Sequence, residues 1–404
     1  MPKRIYVDAA AATPVSSRAQ HELIRLLSIY GNPSALHQEA VRAHEELDRA
    51  RQKTAHAIGA HPDEMVFTSG GTEGNNLALM GVLKPLLKTY PTVHAITSAI
   101  EHPSVLEPLR ALKKLGLHLT ELGVNSAGLV SVDALRLAIT EHTAAISIQF
   151  VNSEVGTIEP LREIVKEVRH IKAQRTLHHN PLPLYIHTDA SQAPLWKTVQ
   201  VEKLGIDLLT LDGQKILGPK GVGALFIRRG VLLEAHMLGG GQENGRRSGT
   251  ENVALAGAFA IALEDAQGKE AKQSKKIAEV RNFLLQEILT RIPDVIVHGA
   301  VGDSRVANNL NISVPGLDGE MAVLALDALG IAASTRSACD QSDEDPSHVL
   351  VALGIDKKII KNAIRLTLLP SATNKEAKRI ATKLLEVTQR YRDNTFVRAE
   401  NVTY

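Results

Sequence analysis

The sequence uses cysteine once in 404 residues, at Cys339. A single cysteine cannot form a disulfide within the chain, so the sequence excludes the disulfide-rich secreted class. The N-terminal stretch MPKRIYVDAAAATPV also lacks the apolar segment of a secretory signal. These two absences predict a cytoplasmic protein.

An excess of charge of either sign is absent, because 46 Lys and Arg residues face 44 Asp and Glu residues. This balance predicts no nucleic-acid partner and no anionic membrane surface, and it favours a small-molecule ligand. Long apolar runs are missing too. The stretch VALAGAFAIAL at 253–263 is much shorter than the ~20 residues of a membrane span, and we interpret it as a buried helix.

Strand-like and helix-like segments alternate through the first part of the chain. Helical patterns follow the apolar segments EMVFTSG, VHAITSAI, AAISIQFV and LYIHTDA, and then DLLTLDG and GVGALFIRR come close together. Helices between strands imply right-handed crossovers and a mainly parallel sheet, while the last pair can be antiparallel. We expect a large three-layer α/β domain at 16–260.

The pattern changes beyond this region. The helical segment KQSKKIAEVRNFLLQEILTRI is followed by short strand-like segments, including NNLNISV and AIRLTLL, and by a closing helical segment. We expect residues 1–15 and 261–404 to form a smaller α+β domain. It contains Cys339 in the polar stretch STRSACDQSD, a setting typical of an exposed, reactive thiol.

Three separate segments carry residues suited to one cofactor. Lys215 follows a strand end in LDGQKILGPKG, Asp189 ends the strand in LYIHTDASQ, and FTSGGTEGNN places Thr72 at a helix start. A helix N-terminus offers N–H groups to a phosphate, a strand-end carboxylate suits a protonated ring nitrogen, and a lysine forms a Schiff base. Together they predict a pyridoxal 5′-phosphate site, and the pattern predicts no metal site.

The chain resembles the NifS/IscS-type cysteine desulfurases of the class V aminotransferase family. The likeness runs nearly end to end, through DAAAATPV, GNPSALH, FTSGGTEGNNLAL, EHPSVLEP, VNSEVGTIEP, HTDASQ, KILGPKGVGAL, GGGQENGRRSGTENV and SACDQSDEDPSHVLVALG. The resemblance implies the fold-type I architecture of pyridoxal phosphate enzymes, with a mainly parallel seven-stranded sheet in a three-layer sandwich and a smaller α+β domain.

The resemblance also implies roles for individual residues. Lys215 would form the Schiff base, Asp189 would pair with the pyridine nitrogen, and the His102 imidazole would stack on the ring. The other residues that would contact the cofactor ring or its phosphate are Asn152, Gln192, Gln214, Gly71 and Thr72, with Thr250 supplied by the partner subunit of a homodimer. His102 would also act as an acid or base.

The remaining implied roles concern the substrate and the sulfur. Arg365 and Asn32 would receive the carboxylate of L-cysteine, with Asn152 nearby, and Cys339 would accept the sulfur as a persulfide. The products would be L-alanine and sulfur for a sulfur-acceptor or scaffold protein, in Fe–S cluster assembly or tRNA thiolation. An Fe–S cluster is a possible partner during transfer.

Two departures from the family pattern stand out. Asp212 and Gln214 occupy positions where the family usually has Ser and His, so an anion replaces a donor to the phosphate. We expect Asp212 to point away from the phosphate or to pair with a cation. Around Cys339, the acidic residues Asp340, Asp343, Glu344 and Asp345 favour a basic surface on the sulfur-receiving protein.

Two alternatives stay open from the sequence. One is a selenocysteine lyase or other class V enzyme in which Cys339 is incidental. The other is a non-catalytic partner protein that retains the fold, which Asp212 favours. Taken singly, most of the residues above also have ordinary structural roles in turns and ion pairs, and it is their joint order that indicates a site.

Overall fold

The protein is described by a computed structural model that covers residues 4–335 and 346–393. Within these ranges the strands are β1 (Ile5–Tyr6), β2 (Met65–Thr68), β3 (His94–Ser98), β4 (His118–Leu122), β5 (Thr143–Ser147), β6 (Tyr185–Asp189), β7 (Leu208–Asp212), β8 (Gly223–Ile227), β9 (Ile296–His298), β10 (Asn309–Ser313), β11 (Ile331–Ala332) and β12 (Ala363–Thr367). The helices are α1 (Ser17–Leu26), α2 (Gln38–Ile58), α3 (Gly71–Thr89), α4 (Pro103–Lys113), α5 (Val132–Ala138), α6 (Leu161–Leu177), α7 (Val201–Leu204), α8 (Val253–Arg291), α9 (Gly319–Ala328), α10 (His348–Ala352), α11 (Lys357–Ile360) and α12 (Asn374–Arg392).

A seven-stranded sheet forms the centre of the large unit, in the order β2-β8-β7-β6-β5-β3-β4. Strands β3 to β7 run parallel to their neighbours among themselves, whereas β8 is antiparallel to both β7 and β2. The predicted mainly parallel seven-stranded sheet, with its antiparallel pair, is confirmed. Strand β4 was not among the strand-like segments, since its sequence HLTEL is largely exposed at the sheet edge.

Helices cover both faces of this sheet. Successive strand residues point to opposite faces, and in β3 and β5 they join different apolar clusters. Ile96 and Ile146 pack in the cluster that includes α2, α6 and α8. Ala95 and Ala145 pack in the cluster that includes α3 and α4. The three-layer α/β architecture follows from this alternation.

The second unit is built on an antiparallel three-stranded sheet in the order β12-β10-β9, and β11 pairs in parallel with β1. Helix α8 runs without interruption across the predicted domain boundary at residue 260 and packs against α1, α2 and α12. The division into two domains stays a prediction. In the part of the chain that is described, no helix combines the length and apolarity that a bilayer crossing requires.

The ends of two strands and the starts of two helices lie at one edge of the large sheet. β6 and β7 end at Asp189 and Asp212, while α3 begins at Gly71 soon after β2, and α4 begins at Pro103 soon after β3. Parallel strands bring their carboxyl ends to the same edge, where open α/β sheets bind ligands. A site is therefore expected there.

Candidate functional site

A cavity of about 380 Å³ lies at this edge. The residues that line it come from the N-terminal segment, from the ends of β6 and β7, from the starts of α3 and α4, and from β12; they include Ala10, Ala11, Gly71, Thr72, His102, Ser104, Gln149, Asp189, Ser191, Gln192, Asp212, Gln214, Lys215, Lys220 and Arg365. A larger groove of about 1040 Å³ beside α6 contains none of the predicted site residues.

Lys215 ends the short 3-10 turn Gly213–Lys215 that follows β7. Its Nζ donates to the carbonyl oxygens of Ala10 and Ala11 at 2.8 and 2.6 Å. Gln192 Nε2 also donates to the Ala10 carbonyl, at 2.8 Å. The N-terminal segment thus closes one side of the cavity and holds the amine inside it.

Asp189 and His102 are joined by two side chains that the sequence reasoning did not select. Asn75 Nδ2 donates to Asp189 Oδ2 at 2.7 Å and to Ser104 Oγ at 2.8 Å. Ser104 Oγ lies 2.7 Å from His102 Nδ1. Asn75 is fully buried in the first turns of α3. The carboxylate and the imidazole are therefore oriented by one hydrogen-bonded chain.

The hydrogen bonds of His102 determine which ring nitrogen carries the proton. His102 caps α4, and its Nδ1 accepts from the backbone N–H of Ser104 at 3.1 Å, so the neutral ring carries its hydrogen on Nε2. Burial lowers the pKa of His102, while the Asp189 carboxylate opposes this shift. The imidazole is therefore neutral at pH 7.

The start of α3 forms a cradle suited to a phosphate. Across residues 4–335 and 346–393, no oxygen accepts a hydrogen bond from the Gly71 or Thr72 N–H. The Ser191 Oγ is buried beside them with no partner. A Cβ on Gly71 would lie 2.9 Å from this Oγ, so only glycine keeps the space open. Free N–H groups and an unsatisfied hydroxyl fit an anionic ligand.

Asp212 lines the cavity beside this cradle and conflicts with an anion there. Its Oδ1 and Oδ2 accept from the N–H and Nε2 of Gln214 at 3.1 and 3.2 Å. Its Oδ2 would lie 3.3 Å from a Cβ placed on Gly71. Gln214 therefore holds the Asp212 carboxylate on the side of Gly71. The expectation that Asp212 turns away from a bound phosphate or pairs with a cation stays a prediction.

Arg365 lies on β12 and is fully buried at the wall of the cavity. Its Nη2 donates to Asp8 Oδ1 at 2.8 Å, whereas its buried Nε has no hydrogen-bond partner. Asp8 was not selected from the sequence. An unsatisfied guanidinium N–H beside a cavity suits a carboxylate ligand.

Three predicted residues, Asn152, Asn32 and Thr250, are not among the residues that line this cavity. Asn152 adjoins two lining residues, but its amide is occupied by the Ile100 carbonyl and by the N–H groups of Glu154 and Val155. Asn32 is exposed in a turn, where its Oδ1 accepts from the Ser34 N–H at 3.0 Å. The contacts expected of Asn152 with the cofactor and of Asn32 with the substrate stay predictions.

Thr250 lies away from the cavity, in a separate depression with Glu243 and Arg247. Its expected role toward a partner subunit stays a prediction. Cys339 and its acidic neighbours Asp340, Asp343, Glu344 and Asp345 lie outside the described residues.

The segments on either side of the undescribed residues 336–345 meet the cavity walls. Ser334 exchanges backbone hydrogen bonds with Arg365, at 2.6 and 3.3 Å. His348 Nε2 donates to the Glu101 carbonyl oxygen at 2.9 Å, next to His102. Ser334 and His348 therefore both lie next to residues of the cavity wall.

Comparisons with known proteins agree with this geometry. The family profile described as aminotransferase class-V matches residues 5–380. The cysteine desulfurase IscS of Dictyoglomus turgidum is 40% identical over 91% of this chain and 90% of its own length. Among solved structures, a NifS-like protein aligns with a TM-score of 0.87 and 31% identity, over 96% of this chain and 99% of the other. SspA in complex with cysteine aligns with a TM-score of 0.77 and 30% identity, over 91% and 100% of the two chains.

Proposed function

The chain belongs to the class V aminotransferase family, and on this premise we propose that it is a pyridoxal 5′-phosphate-dependent cysteine desulfurase. It converts L-cysteine to L-alanine and transfers the sulfur to Cys339. The observation that carries the proposal is the convergence of Lys215, Asp189 and Arg365 on one cavity. The names of the relatives favour this activity over the two alternatives left open by the sequence.

The residues that would hold the cofactor are already arranged around the cavity. Lys215 would bond to it, Asp189 would pair with its ring nitrogen, and the N–H groups of Gly71 and Thr72 would bind its phosphate. When bound, pyridoxal phosphate withdraws electrons from the carbon that bears the substrate amine. The protein supplies the remaining parts of the chemistry.

Substrate orientation is assigned to Arg365. Its Nε is buried and unpartnered, so a substrate carboxylate can accept from it without displacing Asp8 from Nη2. Desolvation of the guanidinium strengthens such a charge-assisted bond. The amino group of the same substrate would then face the rest of the cavity, toward Lys215.

Proton transfer is assigned to Lys215 and His102. The Lys215 amine, once free, removes the proton from the α-carbon of the substrate and later returns a proton to it. His102 is neutral with its proton on Nε2, so it can donate to the substrate and recover the proton. Ser104 and Asn75 hold its orientation through the transfer.

Sulfur transfer is assigned to Cys339. As a thiolate it attacks the substrate sulfur, the carbon–sulfur bond breaks, and its electron pair stays on the substrate carbon, which is then protonated. L-Cysteine and the Cys339 thiol thus become L-alanine and a Cys339 persulfide. Ser334, before this segment, bonds to Arg365 of the cavity wall, and His348, after it, bonds to Glu101, the residue before His102; these contacts support the assignment.

The finer assignments belong to the same proposal. The enzyme acts as a homodimer in which Thr250 of each subunit serves the other's phosphate site. The persulfide passes to a sulfur-acceptor or scaffold protein for Fe–S cluster assembly or tRNA thiolation, and the single cysteine supports a cytoplasmic location.

The test uses the purified protein loaded with pyridoxal phosphate and supplied with L-cysteine. We expect the visible absorbance of the bound cofactor, production of alanine, and a thiol-reactive label that detects a persulfide at Cys339. Lys215→Ala should abolish alanine formation, and Cys339→Ser should abolish the persulfide. A protein that takes up no cofactor would point to a non-catalytic role. Alanine formation unaffected by Cys339→Ser, or a preference for selenocysteine, would favour the other alternative.

A further inference from the structure

The cradle at the start of α3 places a carboxylate where the cofactor phosphate would bind. Asp212 ends β7, is buried, and is held by both donors of Gln214. Its Oδ2 and the Ser191 Oγ lie on the same side of Gly71, at 3.3 and 2.9 Å from a Cβ built there. A phosphate at the free N–H groups of Gly71 and Thr72 would therefore meet Asp212 as well as Ser191.

The charged side chains near Asp212 each have a defined setting of their own. Glu73 on α3 pairs with Arg247, and Asp189 at the end of β6 accepts from Asn75. His102 from α4 also lines the cavity.

Two lysines face the same space. Lys215 directs Nζ to the carbonyl oxygens of Ala10 and Ala11, and the exposed Lys220 lines the outer wall. An exposed ammonium is well hydrated and gives little compensation to a buried anion. A bound phosphate would therefore place a second anion beside the buried Asp212 carboxylate.

Two acidic groups in contact commonly share one proton, because both cannot ionise at low cost. A phosphate monoester has its second pKa near ~6, so it is mainly a dianion in solution at pH 7 to 8. Ser191 has a hydroxyl hydrogen to donate and no partner, which matches one further phosphate oxygen.

From this geometry, and resting on the proposed function, we propose that the protein binds the cofactor phosphate together with one proton, shared between the phosphate and Asp212, while Ser191 donates its hydroxyl to the phosphate. Asp212 thereby makes cofactor affinity dependent on pH. The proton comes from solvent, and the ligand is otherwise unchanged.

The test measures binding rather than turnover. The probe is 4′-deoxypyridoxine 5′-phosphate, which carries the phosphate and cannot bond to Lys215. Calorimetric titrations of the apoprotein from pH 6.5 to 8.5, in two buffers of different ionisation enthalpy, give affinity and proton uptake together. As pH rises, we expect the affinity of the wild type to fall more steeply than that of Asp212→Asn, by about an extra factor of ten per pH unit. The wild type should also take up about one more proton on binding than the variant does. Titration of the probe ring is common to both proteins and cancels.

A matched control is Asp207→Asn, which neutralises a buried carboxylate at the other end of β7, where Lys172 pairs with it at 2.7 Å. It should keep the wild-type pH slope. Ser191→Ala should weaken binding at every pH tested, by about tenfold to a hundredfold for one lost hydrogen bond to a charged group. Phosphorus NMR of the bound probe on the wild type, which needs no variant, should show a protonated phosphate or one titrating far from its solution pKa.

Equal pH slopes for wild type and Asp212→Asn, or a phosphorus resonance of an ordinary dianion with no extra proton uptake, would overturn the inference. Binding of the probe in those cases would leave the proposed function intact. A wild-type protein that binds neither the probe nor pyridoxal phosphate at any pH would overturn both.

Discussion

Asn75 offers a sharp test of how the site is held together, since it connects Asp189 to Ser104 and, through it, to His102. Asn75→Ala removes two donors at 2.7 and 2.8 Å, one of them to a carboxylate. A hydrogen bond to a charged group contributes about 1.5–3 kcal/mol, and a neutral one about 0.5–1.5 kcal/mol. Asn75 Oδ1 has no partner, so its loss costs nothing further. We expect the variant to be less stable by about 2–4 kcal/mol.

The catalytic consequence should be specific. His102 and Asp189 lose their shared anchor, whereas Arg365 does not contact Asn75. We therefore expect kcat to fall about tenfold or more, within the range that general acid–base groups contribute, while KM for L-cysteine changes little.

The assay is urea unfolding of the apoprotein followed by steady-state alanine production. The control is Asn76→Ala, which changes the next residue on α3, where the side chain donates to the Thr72 carbonyl oxygen at 2.9 Å. It should leave stability within about 0.5 kcal/mol. If Asn75→Ala and Asn76→Ala behave alike in both measurements, the network does not position the site.

Three other predictions follow from buried charges. Arg365→Lys should raise KM for L-cysteine about tenfold or more with a smaller change in kcat, because lysine keeps the positive charge but lacks the paired N–H donors of the guanidinium. An unchanged KM in steady-state kinetics would contradict this role of Arg365. Burial raises the pKa of Glu159 to about 7 from 4.5, so the folded protein binds the proton more tightly and this group makes stability fall as pH rises from 4.5 to about 7. Urea unfolding at pH 5 and pH 8 should show a smaller fall for Glu159→Gln, and an unchanged fall would refute the assignment. Arg51→Ala should cost about 3–5 kcal/mol in the same assay, since it leaves the Glu243 carboxylate buried without its ion-pair partner at 2.6 Å; a loss below 1 kcal/mol, as typical of exposed pairs, would contradict this.

The parts of the site that lie at strand ends could be predicted from the sequence. Lys215, Asp189 and Gly71 each follow a recognisable apolar strand, and the parallel order of the strands brings such ends together. Asn75 and Asp8 could not be found in this way. Asn75 is one of two adjacent asparagines on a helix and its partner Asp189 is 114 residues away, so only the packing distinguishes it from Asn76.

In the fold, too, features with a local sequence pattern could be predicted, whereas those set by packing could not. The buried strands were recognisable, whereas the half-exposed β4 has no apolar run to mark it. Separate helical segments were expected at 253–263 and from Lys272 onward, and the stretch between them contains Gly268. A glycine costs a helix only about 1 kcal/mol, and the packing of α8 on α1, α2 and α12 exceeds that cost, so one helix runs through.

The position of the Asp212 carboxylate follows from a local turn. An Asp whose Oδ1 accepts from the N–H two residues later forms a turn of the kind that Asp-Gly sequences favour, and this turn also sets the position of Lys215. Swinging the carboxylate out of the cradle would break the contacts to Gln214 and disturb the residue that follows it. Movement therefore costs the site its lysine, whereas a proton removes the charge conflict and leaves Lys215 in place.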